Sequence, residues 1–351
     1  MSDFYTNLAK DLAKEGTSVL SDGTSSAEFS GWIDTGSYAL NAQVSGSMYG
    51  GMADNKVTGL AGEEATGKTF FALALLQSFQ KMYDNAGGFH YDTESATTKE
   101  MMESRNIDSN RVLISEPETV EDFRTHAYRT LDKYMAVKGD KPRMMMILDS
   151  LGQLPTMKEV EDIDAAKNVR DMTRTQIIKG AFRALTLKLA KAKVPMIVTN
   201  HTYQTMELYS KKVMSGGGGL KFAASTILFL GRNVDKDQGR GEGVLINCFL
   251  AKSRFTKPET TVKLRLNYAT GLDRYYGLLD IADEYGIFEK SGTQYLIDGK
   301  KYFAKTINAN PEKFYTTEVM ERLEEACAKK FKFGAGDIRV NDEDEDDDGD
   351  E

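Results

Sequence analysis

Residues 62–69 read GEEATGKT, between the apolar run KVTGLAG (56–62) and the apolar stretch FFALALLQSFQK (70–81). Gly62, Gly67, Lys68 and Thr69 fill every fixed position of G-x-x-x-x-G-K-[ST]. The context, a strand before and a helix after, is the one the motif requires. Gly62 and Gly67 let the backbone of Glu63, Glu64, Ala65 and Thr66 wrap a row of phosphates, and the helix N-terminus adds partial positive charge. Lys68 is then placed for the β/γ oxygens and Thr69 for a Mg²⁺ ion. The stretch predicts a nucleoside triphosphate site at a strand-to-helix turn.

Outward from this turn, short apolar runs recur: GFHYD (88–92), RMMMILD (143–149), VPMIVTN (194–200), STILFLG (225–231) and VLINCFLA (244–251). Helical patterns over 69–83 and 119–137 separate the early runs. Buried strands joined by helices predict an α/β fold with a mostly parallel central sheet covered on both faces. The expected organisation is a helix and Ser/Thr/Gly-rich linker over 1–30, the core over 31–285, a small α/β region over 286–340 with a helix near 317–331, and a tail over 341–351.

Ligands of open α/β sheets gather at the C-terminal ends of the strands. MILDS ends in Asp149 and Ser150, and an acid there is suited to hold Mg²⁺ through water. HYDTES offers Asp92 and Glu94, and a carboxylate at this position can orient and deprotonate an attacking water. IVTNH ends in Asn200 and His201, placed to hydrogen-bond a γ-phosphate.

The 351-residue chain carries a formal charge of −8, but its last ten residues, DEDEDDDGDE, hold nine acids, and without them the balance is +1. The acidic tail reads either as solvation or as an arm competing with a polyanion for basic surface. No window approaches the length of a membrane span, and MSDFYTNLAK lacks the pattern of a secretory signal. Cys248 and Cys327 match no metal or redox spacing, so a reducing cytoplasm is expected.

The order Walker A, YDTES, MILDS, VTNHTY, a glycine-rich loop, LKFAAS and AKSRFTK, with the lead-in TGSYALNAQVSG (35–46), resembles the RecA family of recombinases. DSLGQLPTMKEVED and NHTYQTMELYSKKVMSGGGG are similar to its members in T-even-type bacteriophages. The resemblance spans roughly 31–285 and implies a RecA-like P-loop NTPase core. It implies that ATP and Mg²⁺ are bound, that Glu94 activates water, and that His201 links the γ-phosphate to DNA loops where bacterial members have glutamine. It further implies that Lys252 and Arg254 reach a neighbour's ATP, that Phe222 lies at that interface, and that Asp149 and Ser150 are joined by a cis peptide. Arg183 and Arg174 become DNA-phosphate contacts. Thr98 and Met101 stand where bacterial members place an aspartate and a tyrosine against adenine.

Two segments, about 154–168 and 202–219, carry weak secondary-structure signals. In the second, Tyr203, Met206 and Tyr209 suit bases, Lys211 and Lys212 suit phosphates, and the run containing Gly216 and Gly217 leaves the backbone free to reorder. The function expected is a DNA-dependent ATPase that polymerises as a helical filament on single-stranded DNA and pairs it with double-stranded DNA, attended by a recombination mediator and a single-strand-binding protein. The rival readings are a ring helicase or repair ATPase on the same core, and a small-molecule kinase.

Overall fold

The computed structural model describes residues 2–15, 17–22, 31–165, 173–204, 212–215, 218–235, 243–268 and 270–334. The strands of its main sheet are β1 (Val57–Gly62), β2 (Gly87–Asp92), β3 (Val112–Ser115), β4 (Met144–Asp149), β5 (Met196–Gln204), β6 (Lys212–Met214), β7 (Thr226–Val234), β8 (Gly243–Ser253), β9 (Thr260–Asn267) and β10 (Gly271–Leu272). All of β1 is buried, as an apolar strand with neighbours on both sides and helices on both faces must be. The lateral order is β10-β9-β8-β7-β1-β5-β4-β2-β3, with β6 hung on the end of β5. From β7 to β3 all pairs are parallel; β7–β8, β8–β9, β9–β10 and β5–β6 are antiparallel.

The labelled helices are α1 (Ser2–Asp11), α2 (Tyr38–Ser45), α3 (Lys68–Met82), α4 (Val120–Ala136), α5 (Met157–Asp164), α6 (Arg174–Ala192), α7 (Gly219–Ala223), α8 (Leu278–Glu284) and α9 (Thr317–Phe331). Alternation along each strand divides the core in two. Leu60, Ile147, Ile197 and Leu228 pack with Phe71, Leu75 and Phe79 of α3 on one face. Ala61, Leu148 and Val198 pack with Phe123 of α4 and Phe182 and Leu185 of α6 on the other. The region after residue 285 adds an antiparallel sheet of Glu289–Ser291, Gln294–Ile297 and Lys300–Phe303. Its Phe288, Tyr295 and Tyr315 belong to the same apolar cluster as α2, α3 and α9, so it shares the first core.

Two expectations are corrected. The segment after Leu154 is not irregular throughout: Thr156 and Glu159 form a capping box, each side chain taking the other residue's backbone N–H, and α5 follows to Asp164. The segment from Thr202 begins as an extension of β5 paired with β6, and α7 begins at Gly219. Residues 166–168, 205–211 and 216–217 of these segments, and the acidic tail, lie outside the described residues. Among the described residues no helix is long and apolar enough to cross a membrane. Phe4, Tyr5 and Leu8 of α1 are exposed.

Candidate active site

The turn between β1 and α3 is shaped by its glycines. A Cβ on Gly62 would stand 2.6 Å from Thr66 Oγ1 and 2.9 Å from the Leu230 carbonyl oxygen, while Gly67 starts α3 at φ +86°. The Thr66 hydroxyl donates to the Glu63 carbonyl at 2.9 Å and closes the loop. Lys68 is buried, with Nζ donating to the carbonyls of Gly62 (3.1 Å) and Glu63 (2.8 Å). Burial lowers its pKa from the usual lysine value, against the pull of Glu94, Asp149 and Glu64. A desolvated ammonium at a helix N-terminus is a costly arrangement that an anion relieves. The half-buried Thr69 follows in the first turn of α3.

The ends of β2 and β4 are tied together beside it. Asp92 accepts from the backbone N–H groups of Glu94 (3.1 Å), Ala96 (3.0 Å) and Thr97 (2.8 Å), and so curls the loop that carries Glu94. The Thr93 N–H donates to the Asp149 carbonyl, and its hydroxyl both donates to the Ser150 carbonyl and accepts from the Ser150 N–H, each bond being 2.8 Å. The Asp149–Ser150 peptide is cis. Ser150 Oγ donates to Glu94 Oε1 at 2.7 Å, and His201 Nε2 stands 3.1 Å from the same oxygen. Asp149 is buried and accepts from the Thr199 hydroxyl. Lys68, Glu94, Asp149 and His201, carried by four different elements, thus gather at the C-terminal ends of the sheet's interior strands. The Thr69 hydroxyl and the Asp149 carboxylate are hard oxygen donors of the kind Mg²⁺ takes.

The site is joined directly to the segment that follows β5. Asn200 Nδ2 donates to the Ser215 carbonyl at 2.8 Å, and the Ser215 N–H donates to the His201 carbonyl at 2.9 Å. A Cβ on Gly152 would meet Asn200 Oδ1 at 3.1 Å and His201 Cδ2 at 3.3 Å, so the turn after Ser150 rests against the same pair. Tyr203 is exposed on this stem, and Lys212 opens β6. Tyr209, Lys211, Gly216 and Gly217 lie outside the described residues. Arg174, expected at a DNA phosphate, is engaged within the chain: one guanidinium nitrogen donates to Glu159 at 2.6 Å and another to the Gly152 carbonyl at 3.2 Å. Arg183 is exposed. Thr98 caps the helix Lys99–Glu103 by accepting from the Met101 N–H, and Met101 packs against the core beside α3.

Arg254 and Phe222 are elsewhere. With Lys56, Val57, Lys179 and Arg183 they line an open groove of about 630 Å³. Lys252 Nζ donates to the Lys221 carbonyl at 2.6 Å, in the last turn of α7. The Arg254 N–H donates to Ser225 O, and the Ser225 N–H to Val57 O, so Arg254 stands at the start of β1, whereas the phosphate turn stands at its end. Six residues at roughly 3.3 Å each separate them by about 20 Å.

Sequence reasoning singled out the Glu94, Asp149 and His201 positions but missed how they are held. The Asp92 brace, the Ser150 hydroxyl and the Thr199 hydroxyl left one signal, their places at apolar strand ends.

Residues 4–273 match the family model described as the RecA N-terminal domain. The chain is 32% identical over 288 residues to the "Recombination and repair protein" of Enterobacteria phage T4, spanning 81% of this chain and 72% of that one. It is 25% identical over 316 residues to "Protein RecA" of Paenarthrobacter aurescens, spanning 89% and 86% of the two chains. With "Protein RecA" of Frankia alni it shares 29% identity over 272 residues, spanning 76% and 74%.

Proposed function

The chain belongs to the RecA family, and from that premise we propose that it is a DNA-dependent ATPase that forms helical filaments on single-stranded DNA and pairs the strand with a homologous duplex. Its setting is phage recombination, repair and recombination-dependent replication in the host cytoplasm, in the company of a mediator and a single-strand-binding protein. The observation that carries the reading is the division of the site. Lys68, Glu94, Asp149 and His201 sit at one end of β1 and Arg254 at the other. A nucleotide on Lys68 can meet Arg254 only from a second copy. The exposed Phe4, Tyr5 and Leu8 of α1 are a face that a neighbour would cover.

Bound ATP with Mg²⁺ supplies the γ-phosphate whose cleavage releases the assembly. Lys68, Thr69 and the loop amides would hold the phosphates, and Thr69 and Asp149 would hold the metal. Glu94, oriented by Ser150 and His201, takes the proton of the attacking water. The His201 carbonyl accepts from the Ser215 N–H at the stem of the glycine-rich segment, so a change at its ring reaches that segment through one backbone hydrogen bond. Lys252 and Arg254 of the adjacent copy stabilise developing charge, as cations supplied in trans do elsewhere. The protein grips the DNA backbone and leaves sequence reading to base pairing.

The test is ATP turnover measured with and without single-stranded DNA, with negative-stain images of the same samples. Turnover that rises with single strands, together with open filaments, is expected. Closed rings would favour the helicase reading, and turnover indifferent to DNA would remove the recombinase reading.

A further inference from the structure

We propose that Arg174 is a positioning residue for ATP hydrolysis: with Glu159 it holds the turn Leu151–Gln153 against Asn200 and His201, and so keeps Ser150 and His201 on Glu94. The inference rests on the reading of Glu94 as the group that activates water, and it gives Arg174 a role other than DNA contact.

Arg174 is the first residue of α6, and its guanidinium reaches two places at once. One terminal nitrogen donates to Glu159 Oε2 at 2.6 Å and the other to the Gly152 carbonyl at 3.2 Å. These terminal N–H groups form the edge of the fork that would otherwise grip a phosphate. A DNA phosphate would have to displace both partners to be held there. A cation at the first position of a helix also opposes the macrodipole, and Glu159 offsets that charge.

Glu159 is itself fixed. The oxygen that takes Arg174 also accepts the Thr156 N–H at 2.7 Å, while the Thr156 hydroxyl accepts the Glu159 N–H at 3.1 Å. Thr156 is fully buried, and Leu151 and Leu154 anchor the stretch before it in the core. Arg174 therefore bridges the start of α5, the start of α6 and the turn after Ser150.

That turn borders the residues placed for the γ-phosphate. Gly152 has no side chain, and a Cβ on it would stand 3.1 Å from Asn200 Oδ1, 3.3 Å from His201 Cδ2 and 3.5 Å from Ser215 Cβ. Asn200 Oδ1 is buried without a partner among the described residues, so no hydrogen bond ties it to the turn. The bond from Arg174 to the Gly152 carbonyl, with the buried Leu151, is what holds the turn in place. Two residues upstream of Gly152, the Ser150 hydroxyl meets Glu94 Oε1, the oxygen that His201 also meets. A shift of this turn therefore disturbs both guides of Glu94 together. Misplacement by about 1 Å near a reacting group can cost about a hundredfold in rate.

The experiment uses the full chain with saturating single-stranded DNA. Turnover is measured against ATP concentration for Arg174→Gln, Arg174→Lys, Glu159→Gln and the double variant Glu159→Gln/Arg174→Gln. Single-strand binding with a slowly hydrolysed ATP analogue is followed in the same proteins at several salt concentrations. Glu159→Gln preserves the capping box, so α5 is kept and only the ion pair is lost. Arg174→Lys keeps the charge but not the fork.

Arg174→Gln and Glu159→Gln should each lose about tenfold in kcat, with KM for ATP near wild type, and Arg174→Lys should follow them. The double variant should lose no more than Arg174→Gln alone. The slope of log K against log salt should keep its wild-type value in all four. A slope smaller by about 0.7 in Arg174→Gln returns the residue to a strand phosphate and overturns the proposal. So does wild-type kcat at saturating DNA, and so do losses that multiply in the double variant, since Glu159 would then act apart from Arg174. If Arg174→Gln fails to fold, Glu159→Gln decides, wild-type kcat there being the adverse result. Wild-type turnover in Glu94→Gln would remove the hydrolytic reading and the proposal with it. Turnover indifferent to single strands would remove the recombinase reading and leave the test of Arg174 standing.

Discussion

His201 Nε2 lies 3.1 Å from Glu94 Oε1, across 107 residues of sequence. The Ser150 hydroxyl reaches the same oxygen at 2.7 Å. Among the described residues the second carboxylate oxygen of Glu94 has no such partner, so in the proposed mechanism it is the atom left to accept the proton. The residue proposed to detect the γ-phosphate is therefore bonded to the residue proposed to activate water.

Removing the Ser150 hydroxyl tests this orientation. Ser150→Ala deletes one bond to a charged acceptor, worth about 1.5–3 kcal/mol in full, of which part is felt at the transition state. Single-strand-stimulated kcat should fall about tenfold with KM for ATP nearly unchanged, and Glu94→Gln should fall further while still binding DNA with ATP. Normal turnover in Ser150→Ala would show that Glu94 needs no such guide.

Separation of the two half-sites predicts complementation. Lys68→Ala removes the phosphate-holding cation and Arg254→Ala removes the cation at the far end of β1; each alone should hydrolyse ATP at a small fraction of the wild-type rate. Mixed in equal amounts they should regain measurable turnover, because an intact Lys68 then faces an intact Arg254 across some interfaces. A mixture no more active than its components would place both groups in one chain.

Thr199 donates its hydroxyl to the buried Asp149. Thr199→Val keeps the volume and leaves that acceptor short of a donor, which should lower the unfolding free energy by about 1–3 kcal/mol in urea titrations. Thr199→Ser retains the hydroxyl and should recover most of the loss. Equal losses in both variants would assign the effect to packing.

His90 is fully buried beneath the site, with Nδ1 unpaired among the described residues, and burial lowers its pKa against the pull of Asp149 and Asp92. The folded protein therefore holds this ring neutral where the unfolded chain takes up a proton, and stability should decline as pH falls below the unfolded value of about 6.5. Urea titrations at pH 7.5 and 5.5 should show that decline, and His90→Phe should reduce it. An identical decline in His90→Phe would assign it to other groups.

The phosphate turn, the apolar strands and the long helices were legible because each leaves a local pattern. β3 was not. Its four residues alternate weakly, and its Leu113 and Ile114 are exposed at the sheet edge, so no buried face marked it. β9, TTVKLRLN, mixes charges into a half-buried strand, and Arg265 is tolerated there because Asp235 pairs with it at 2.8 Å and the Tyr276 ring lies beneath its guanidinium. Within the site, Asp92 was visible as a strand-end acid but its work was not, since its partners are backbone amides. Ser150 and Glu94 are 56 residues apart, and only the parallel pairing of β2 and β4 makes them neighbours.

The placing of the phosphate turn and Arg254 at opposite ends of β1 has a kinetic corollary. In the proposed filament a row of n copies would close only n − 1 pockets, so specific activity should climb with chain length toward a plateau. One terminus must keep its triphosphate uncut for lack of a next member, while the other shows a cationic face with nothing to act on. Such a polymer is chemically lopsided, and its two tips should gain and shed members on different clocks.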